Sequence, residues 1–476
     1  MAPEDLRTFL TAVQKSGDLI NVDDEVDWDQ ELAGIGRLSC ERNGPAFLFN
    51  NVKDYSPGWR VLANPVVGWR RFAVALGLPP ATPVRRLYQI YAEREQSLIP
   101  PILVNDAPCK EVVIPSENVD LFDLPVPMVH DGDGGRYIGT WDLVVSKSAD
   151  GNWVNWGMYR FMVHNERLLT GYPRPNSHLG KMLQEGYAPR GRAMPIAIVI
   201  GADLPSHLAS AATFQLEGDE AKLAGGLGQR AVPLVKCETS DLYVPATAEI
   251  VIEAEVLPHS IAQEGPYGEY PGYRSGEMGN AICARVTAIT HRRDPILTLD
   301  TTGFMDSSAV TTSICGAIAI RRRLEKHDIP VVDVYVPPES GVHLSIISVR
   351  RGHGGPAVAR KIVELLTARR ALMSKIIVVD DDVDVFNMAA VIHAFSTKCH
   401  PDRGTHIHKY QGRANALTPA YSQEERVKQL GATVAFDATW PPDWPKDAIP
   451  VRATLDSMYA RGVEQRVLKR WQALGL

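Results

Sequence analysis

NWVNWGMYRFMV, residues 152–163, is the stretch on which the reading of the fold turns. It reads as a strand-like run, and on an extended chain successive side chains alternate between faces. Asn155, Gly157 and Tyr159 would then face one way and Trp156, Met158 and Arg160 the other, unless a bulge intervenes. Working outward, WDLVVSK (141–147), PIAIVIG (195–201), EIVIEAEV (249–256) and AICARVTAI (281–289) are of the same kind and are separated by turn residues. From about Val112 to Ala288 the chain is therefore expected to form a β-rich barrel or sandwich. After about residue 310 the style changes. VVDVYV (331–336) and KIIVVDDDVDV (375–385) alternate with helical patterns at 356–370 and 385–396, and such alternation implies a parallel α/β layer. Thr312–Lys326 reads as a helix joining the halves. Residues 1–110 mix helical and strand-like patterns up to Pro100 and Pro101, as a small α+β lobe would. Thr454–Leu476 is predicted as an amphipathic helix behind the proline-rich TWPPDWPKDAIP (439–450), packing on its own domain or on a neighbouring subunit.

At 476 residues the chain exceeds one ordinary core, given about 100–200 residues per domain. With 45% hydrophobic and 22% charged residues and a formal net charge of −6, the composition is that of a globular protein. Basic residues are scattered, and the short run Arg321–Arg323 lies beside a helical pattern as a solvated face, so nothing points to nucleic acid. The N-terminal MAPEDLRTFLTAVQKSGDL places Leu6, Phe9, Leu10 and Val13 at helical spacing behind an acidic first turn, which reads as an amphipathic helix and not as a signal peptide. No run approaches the roughly 18 apolar residues of a membrane span. Cysteines stand at 40, 109, 237, 283, 315 and 399, without a CxxC pair, the pattern of reduced thiols in a cytoplasmic protein.

Three constellations could carry chemistry. In EGPYGEYPGY (264–273), a turn with Gly265, Pro266 and Gly268 holds Glu264 and Glu269 about five residues apart. Partial burial would push their pKa values apart and leave an acid beside a base or ion-pair partner; the alternative is a hairpin with exposed glutamates. Arg160 matters if it is buried, because a buried guanidinium needs a carboxylate, and these two glutamates are candidates. His178 in PNSHLGK and Glu220 in EGDEAKLAGGL each open a helix-like segment. With the amide oxygen of Asn155 they would make a mixed nitrogen and oxygen site suited to Mn2+ or Mg2+. Taken separately, each of these residues also has an ordinary structural reading. RGHGGPAVARK (351–361) reads as a turn and helix start, His406 and His408 as part of a strand, and Asp380–Asp384 as the acidic end of a strand.

In order along the chain, NWGMYR, NSH, DE before LAGGL, EGPYGEYPGY and KIIVVDDDVD resemble the UbiD-type decarboxylases, the family of the ferulic acid and aromatic acid decarboxylases, over nearly the whole chain. The resemblance implies a prenylated FMN held by Asn155, Trp156, Gly157, Met158, Tyr159, Arg160, Ser177, His178 and Glu220, with Lys375 reaching its phosphate. It implies Mn2+ (or Mg2+) on Asn155, His178 and Glu220, and K+ at Trp153, Ala209, Ser210 and Glu220. It also assigns a catalytic Arg160, Glu264 and Glu269. Glu269 would be the proton donor, Arg160 would position the substrate carboxylate, and Glu264 would hold the arginine. Met158, Ser177 and Ile314 fall where relatives line the substrate pocket.

The implied reaction is reversible loss of CO2 from an aromatic, heteroaromatic or α,β-unsaturated acid through a covalent adduct with the prenylated flavin. A cinnamate-type acrylic acid substrate remains open. TKCHPDRG (397–404) departs from the TRxDPxRD pattern of the ubiquinone-pathway member at His400 and Gly404, which argues against a polyprenyl substrate. The family's fold is α+β, and the expected division follows it: an N-terminal lobe over 1–110, a β-rich split-barrel flavin-binding domain over 111–310, a linker helix over 311–327, a C-terminal α/β dimerisation domain over 328–440 and a tail helix over 441–476. The expected partners are a small carboxylic acid and CO2, a flavin prenyltransferase as cofactor supplier, and further copies of the chain in a homodimer or larger homo-oligomer, with no nucleic acid and no membrane. A flavin reductase on the same barrel would need a nicotinamide site and no acid–arginine–acid network. A metal-dependent hydrolase would need an open metal position with an activated water.

Overall fold

A computed structural model describes residues 1–175, 177–212, 219–275, 279–368, 373–412 and 417–475. Its centre is a nine-stranded antiparallel sheet. The hydrogen-bonded order is Tyr137–Ile138, Phe161–Asn165, Leu168–Gly171, Gly279–His291, Ile250–Glu264, Met194–Ile200, Leu143–Lys147 and Val154–Gly157, with Val112–Pro115 against Gly279–His291. Strand alternation divides its apolar side chains between two cores. Leu143, Val145, Ala197 and Val199 enter one, and Val144, Ile196, Ile198 and Ile200 enter the other.

The run 152–163 is not one strand. It leaves the sheet after Gly157 and re-enters at Phe161, next to the opposite end of the order. Four residue steps reach at most about 14 Å, so the sheet curls until its two ends nearly meet. No strand pairing among the described residues closes it, and the sheet is an open, curled layer rather than a closed barrel. Met158, Tyr159 and Arg160 bridge the gap.

The first core receives Leu6, Phe9, Leu10 and Val13 from helix Leu6–Lys15, as their spacing predicts. The acid at the start of this helix is a cap outside its first turn: the Asp5 side chain accepts from the Thr8 N–H. A mixed four-stranded sheet, Leu19–Val22, Ala46–Phe49, Arg60–Ala63 and Ile296–Leu299, adds to both cores. The helix predicted from Thr312 begins earlier and runs Ser307–Glu325, because the Asp306 side chain caps the Ala309 N–H.

Beyond it lies a five-stranded sheet ordered Val331–Tyr335, Leu344–Val349, Lys375–Asp380, Leu430–Ala438 and Thr405–Gln411, parallel in its centre and antiparallel at both edges. The helical pattern at 356–370 is realised as Pro356–Thr367, with 369 and 370 outside the described residues. The pattern at 385–396 is shifted to Met388–Lys398, where Asn387 supplies the cap. The C-terminal segment forms two helices, Leu455–Met458 and Arg461–Ala473, neither of which buries a residue, and Leu476 lies outside the described residues. No helix among the described residues is long and apolar enough to cross a membrane.

Candidate active site

The bridge across the open sheet carries the centre of the site. Gly157 is the last residue of its strand, and the Tyr159 ring packs so closely on it that a Cβ there would lie 2.5 Å from the ring. Tyr159 is thereby turned inward, and its hydroxyl accepts from the Leu179 N–H at 3.2 Å. Arg160, released from strand alternation, reaches the two glutamates. Glu264 closes the long strand Ile250–Glu264, and Glu269 closes the short strand Tyr267–Glu269 after the turn at Gly265 and Pro266.

Arg160 Nη1 donates to Glu264 Oε1, and Nη2 donates to Glu269 Oε1 at 2.6 Å. The Tyr137 hydroxyl donates to the same Glu264 oxygen at 2.8 Å. The guanidinium lies over the Tyr267 ring at 4.5 Å and near that of Tyr137 at 5.1 Å. All three charged side chains are mostly buried: 23% of Arg160, 11% of Glu264 and 12% of Glu269 remains exposed. Burial works against the Arg160 cation, but Glu269 and Glu264 outweigh it and hold the guanidinium well above its ordinary range. Burial, with the Glu264 charge beside it, raises the Tyr137 hydroxyl, which stays a donor. A permanent cation thus ties down two acids. Glu269 is held by one oxygen, while its other oxygen has no hydrogen-bond partner among the described residues.

The second cluster lies at the start of the same motif. Asn155 is buried, and its Oδ1 sits 2.8 Å from His178 Nδ1. His178 opens helix His178–Lys181 under a Ser177 cap whose Oγ accepts from the Gly180 N–H at 3.1 Å. Glu220 opens helix Glu220–Gly228 and is only 2% exposed. Its Oε2 accepts from the Trp156 N–H at 3.2 Å, and burial pushes its pKa up to about 7. Burial also lowers His178, with a smaller contribution from Lys181. A carboxylate so deeply buried, with no cationic partner among the described residues, is what a divalent ion would compensate. The donor set of amide oxygen, imidazole nitrogen and carboxylate fits Mn2+ or Mg2+. Among the described residues no group of three or more His, Cys, Asp or Glu is placed to hold a metal, and this trio depends on the asparagine.

Trp153 precedes the strand carrying Asn155, while Ala209 and Ser210 end the buried helix Leu204–Ser210, which packs against the Glu220 helix. Glu220 and Trp153 also line a pocket of about 520 Å³ with Trp156, Lys222 and Tyr243. Met158, the first residue of the bridge, is half-buried, whereas Ile314 is wholly buried in the first core on helix Ser307–Glu325. Among the described residues Lys375 makes no hydrogen bond or ion pair to these groups. It is exposed at the start of its strand, where pairing with the neighbouring strands holds its backbone, and its Nζ donates to Ser374 Oγ at 3.1 Å. Sequence reasoning missed Tyr137, and it missed Tyr267 although that residue lies inside the quoted turn. It also missed His130 and Asp133, whose one local signal is the glycine-rich DGDGG at 131–135.

Three family models match the chain in succession. The 3-octaprenyl-4-hydroxybenzoate carboxy-lyase N-terminal domain matches residues 10–91, its Rift-related domain 102–304 and its C-terminal domain 310–438. The chain is 31% identical to the pyrrole-2-carboxylic acid decarboxylase of Pseudomonas aeruginosa over 492 residues, covering 99% of this chain and 98% of that one. Among solved structures, the closed form of Sedimentibacter hydroxybenzoicus vanillic acid decarboxylase superposes with a TM-score of 0.87 at 26% identity, covering 100% of this chain and 99% of the other. An evolved dimeric form of the UbiD-class enzyme HmfF from Pelotomaculum thermopropionicum, in complex with prFMN, gives 0.79 at 28% identity, covering 94% and 97%. Matched along its length by these models and relatives, and carrying an arginine forked between two mostly buried glutamates, the chain belongs to the UbiD family and is a decarboxylase.

Proposed function

We propose that the protein reversibly decarboxylates an aromatic or heteroaromatic acid with prenylated FMN, and that Glu269 is the proton donor. The observation that carries this reading is the Arg160 fork. A guanidinium held between Glu264 and Glu269 has already been desolvated and aimed, and its remaining N–H groups can take a substrate carboxylate. Glu264, bonded to both Arg160 and the Tyr137 hydroxyl, keeps the fork in place. Glu269 keeps one oxygen on Arg160 and has the other for a proton, which it delivers to the carbon that has lost CO2.

The prenylated flavin, when bound, supplies the electron-accepting ring that cleavage at an sp2 carbon requires. Asn155, His178 and Glu220 would hold a manganese or magnesium ion facing its phosphate, and the carbonyls of Trp153, Ala209 and Ser210 with Glu220 would hold potassium. Asn155 and Arg160 are five residues apart, at most about 17 Å along the chain, so a molecule anchored at the first can present its ring to the second. The full-length likeness to a pyrrole-2-carboxylic acid decarboxylase favours a heteroaromatic or benzoate-like acid. In this reading a separate flavin prenyltransferase supplies the cofactor in the cytoplasm, and the chain works as a homodimer or larger homo-oligomer.

The test is an anaerobic assay of protein co-expressed with a flavin prenyltransferase, scoring CO2 release and hydrogen–deuterium exchange over benzoate, heteroaromatic and cinnamate acids. Glu269→Gln should keep flavin and metal and lose turnover. Undiminished CO2 release by that variant overturns the assignment of the proton donor, and activity indifferent to the prenylated flavin overturns the cofactor.

A further inference from the structure

The strand that carries Glu269 is held from behind by a pair of residues with no part in the chemistry described so far. His130 Nδ1 lies 2.9 Å from Asp133 Oδ2, and His130 Nε2 lies 3.0 Å from the main-chain carbonyl of Thr302. Asp133 Oδ1 accepts from the Gly268 N–H at 3.0 Å, and the Gly134 N–H donates to the Pro266 carbonyl at 2.8 Å. Thr302 returns to the same turn through its hydroxyl, which donates to the Tyr267 oxygen at 2.6 Å. The fit against Gly268 is close: a Cβ at that position would stand 2.5 Å from the imidazole Cε1 and Nδ1. Gly268 is therefore the residue that lets the ring lie against the backbone directly before Glu269.

The hydrogen bonds decide the state of the ring. A carbonyl oxygen only accepts, so Nε2 carries a proton. Asp133 accepts the Gly268 N–H on one oxygen and faces Nδ1 with the other, and its side chain is wholly buried. The His130 main-chain N–H also donates to that second oxygen, at 3.3 Å, so both oxygens of Asp133 already accept from main-chain N–H groups; this favours the carboxylate, and with it a proton on Nδ1. The alternative, a proton on Asp133 donated to a neutral ring, would leave an uncharged acid where two donors converge. The groups facing the ring are Asp133 from its own loop, Thr302 from the loop ahead of helix Ser307–Glu325, and Gly268 and Tyr267 from the glutamate turn. Behind Tyr267 lies the Arg160 guanidinium, 4.5 Å from that ring, and Arg274 donates to the Asp131 carbonyl.

We propose that His130 and Asp133 form an imidazolium–carboxylate brace that fixes the Tyr267–Glu269 strand and so positions the Glu269 carboxyl beside Arg160. Both are positioning residues acting through the Gly268 and Thr302 main chain, and the proposal rests on the reading of Glu269 as the proton donor. A displacement of about 1 Å at a proton donor can cost on the order of 10²-fold in rate without loss of binding.

Two measurements test it. In the flavin-loaded wild-type protein, selective 15N labelling of histidine should show both ring nitrogens of residue 130 protonated, with the resonance assigned by its loss in His130→Gln. That variant keeps one donor and removes the charge, and its turnover per bound flavin should fall about 10²-fold while KM changes by less than about threefold. Asp133→Asn, which can still accept from Gly268, should be impaired less. An unprotonated ring nitrogen at residue 130 overturns the brace. So does a His130→Gln protein whose loss lies wholly in flavin content or folding, with normal turnover in the loaded fraction. If Glu269→Gln still releases CO2, the proton-donor reading falls by that result alone, while the protonation state of the ring, read in the resting protein, is judged separately.

Discussion

At the scale of single residues, Arg160 does what a lysine in its place could not. Its planar fork donates to two carboxylates at once, from two different nitrogens, while its face rests on the Tyr267 ring. Arg160→Lys keeps the charge and loses this geometry. Turnover should drop by about 10²-fold or more, because the substrate carboxylate and Glu269 lose their common anchor. Losing one buried partner for Glu264 or Glu269 should also destabilise the fold by about 1–3 kcal/mol. Steady-state rates on the flavin-loaded variant and its thermal unfolding check both, and a lysine variant with near wild-type turnover would mean that charge alone suffices.

Helix Ser307–Glu325 is the element that connects the site to the rest of the fold. Its first turn is held by two buried acids: Asp300 accepts from the Ser307 and Ser308 N–H groups, and Asp306 accepts from those of Gly303 and Ala309. Burial raises the pKa of Asp300. Burial, and then the Asp300 charge, raises that of Asp306 well above the carboxylate range. A raised carboxyl means that the folded state holds protons which the unfolded chain has already released. The contribution of these two acids to stability is therefore greatest below the ordinary carboxylate range and falls as pH rises above it. Asp306→Asn, which can still accept at the cap, should flatten this dependence at pH values above the ordinary aspartate value of about 3.9. Chemical denaturation across that range is the measurement, and an unchanged slope would assign the pH dependence to other groups.

Across the whole molecule one of the two cores is continuous. The first joins Leu6 and Phe9 of the N-terminal helix, Val199 of the central sheet, Ile314 of the connecting helix and Ile376 and Ala435 of the five-stranded sheet. At the surface Arg85 adds ion pairs to Asp333 and Asp384, but it is 41% exposed and such pairs contribute about 1 kcal/mol at most. Apolar burial is what ties the parts together. Calorimetric unfolding of the flavin-free protein should accordingly show one transition, with no early melting of residues beyond 328. Two resolved transitions would mean that the shared core is weaker than its burial implies.

By itself the sequence determined the class of each region, because apolar periodicity is local: the alternation in PIAIVIG and EIVIEAEV, the spacing of Leu6, Phe9, Leu10 and Val13, and the strand–helix succession after residue 310. It also placed His178 and Glu220 at helix starts and offered Glu264 and Glu269 as partners for Arg160 should it be buried, because a buried charge demands a partner; the burial itself came from the fold. The break at Met158–Arg160 was decided only by the tertiary structure, since nothing within 152–163 tells that its two halves belong near opposite ends of one sheet. The same holds for Tyr137 beside Glu264, for His130 behind Gly268, and for Lys375 turned toward Ser374. Each of these contacts joins residues far apart in the chain or depends on where a strand edge falls, and such distances are set by how the sheets curl and pack, not by the order of the residues.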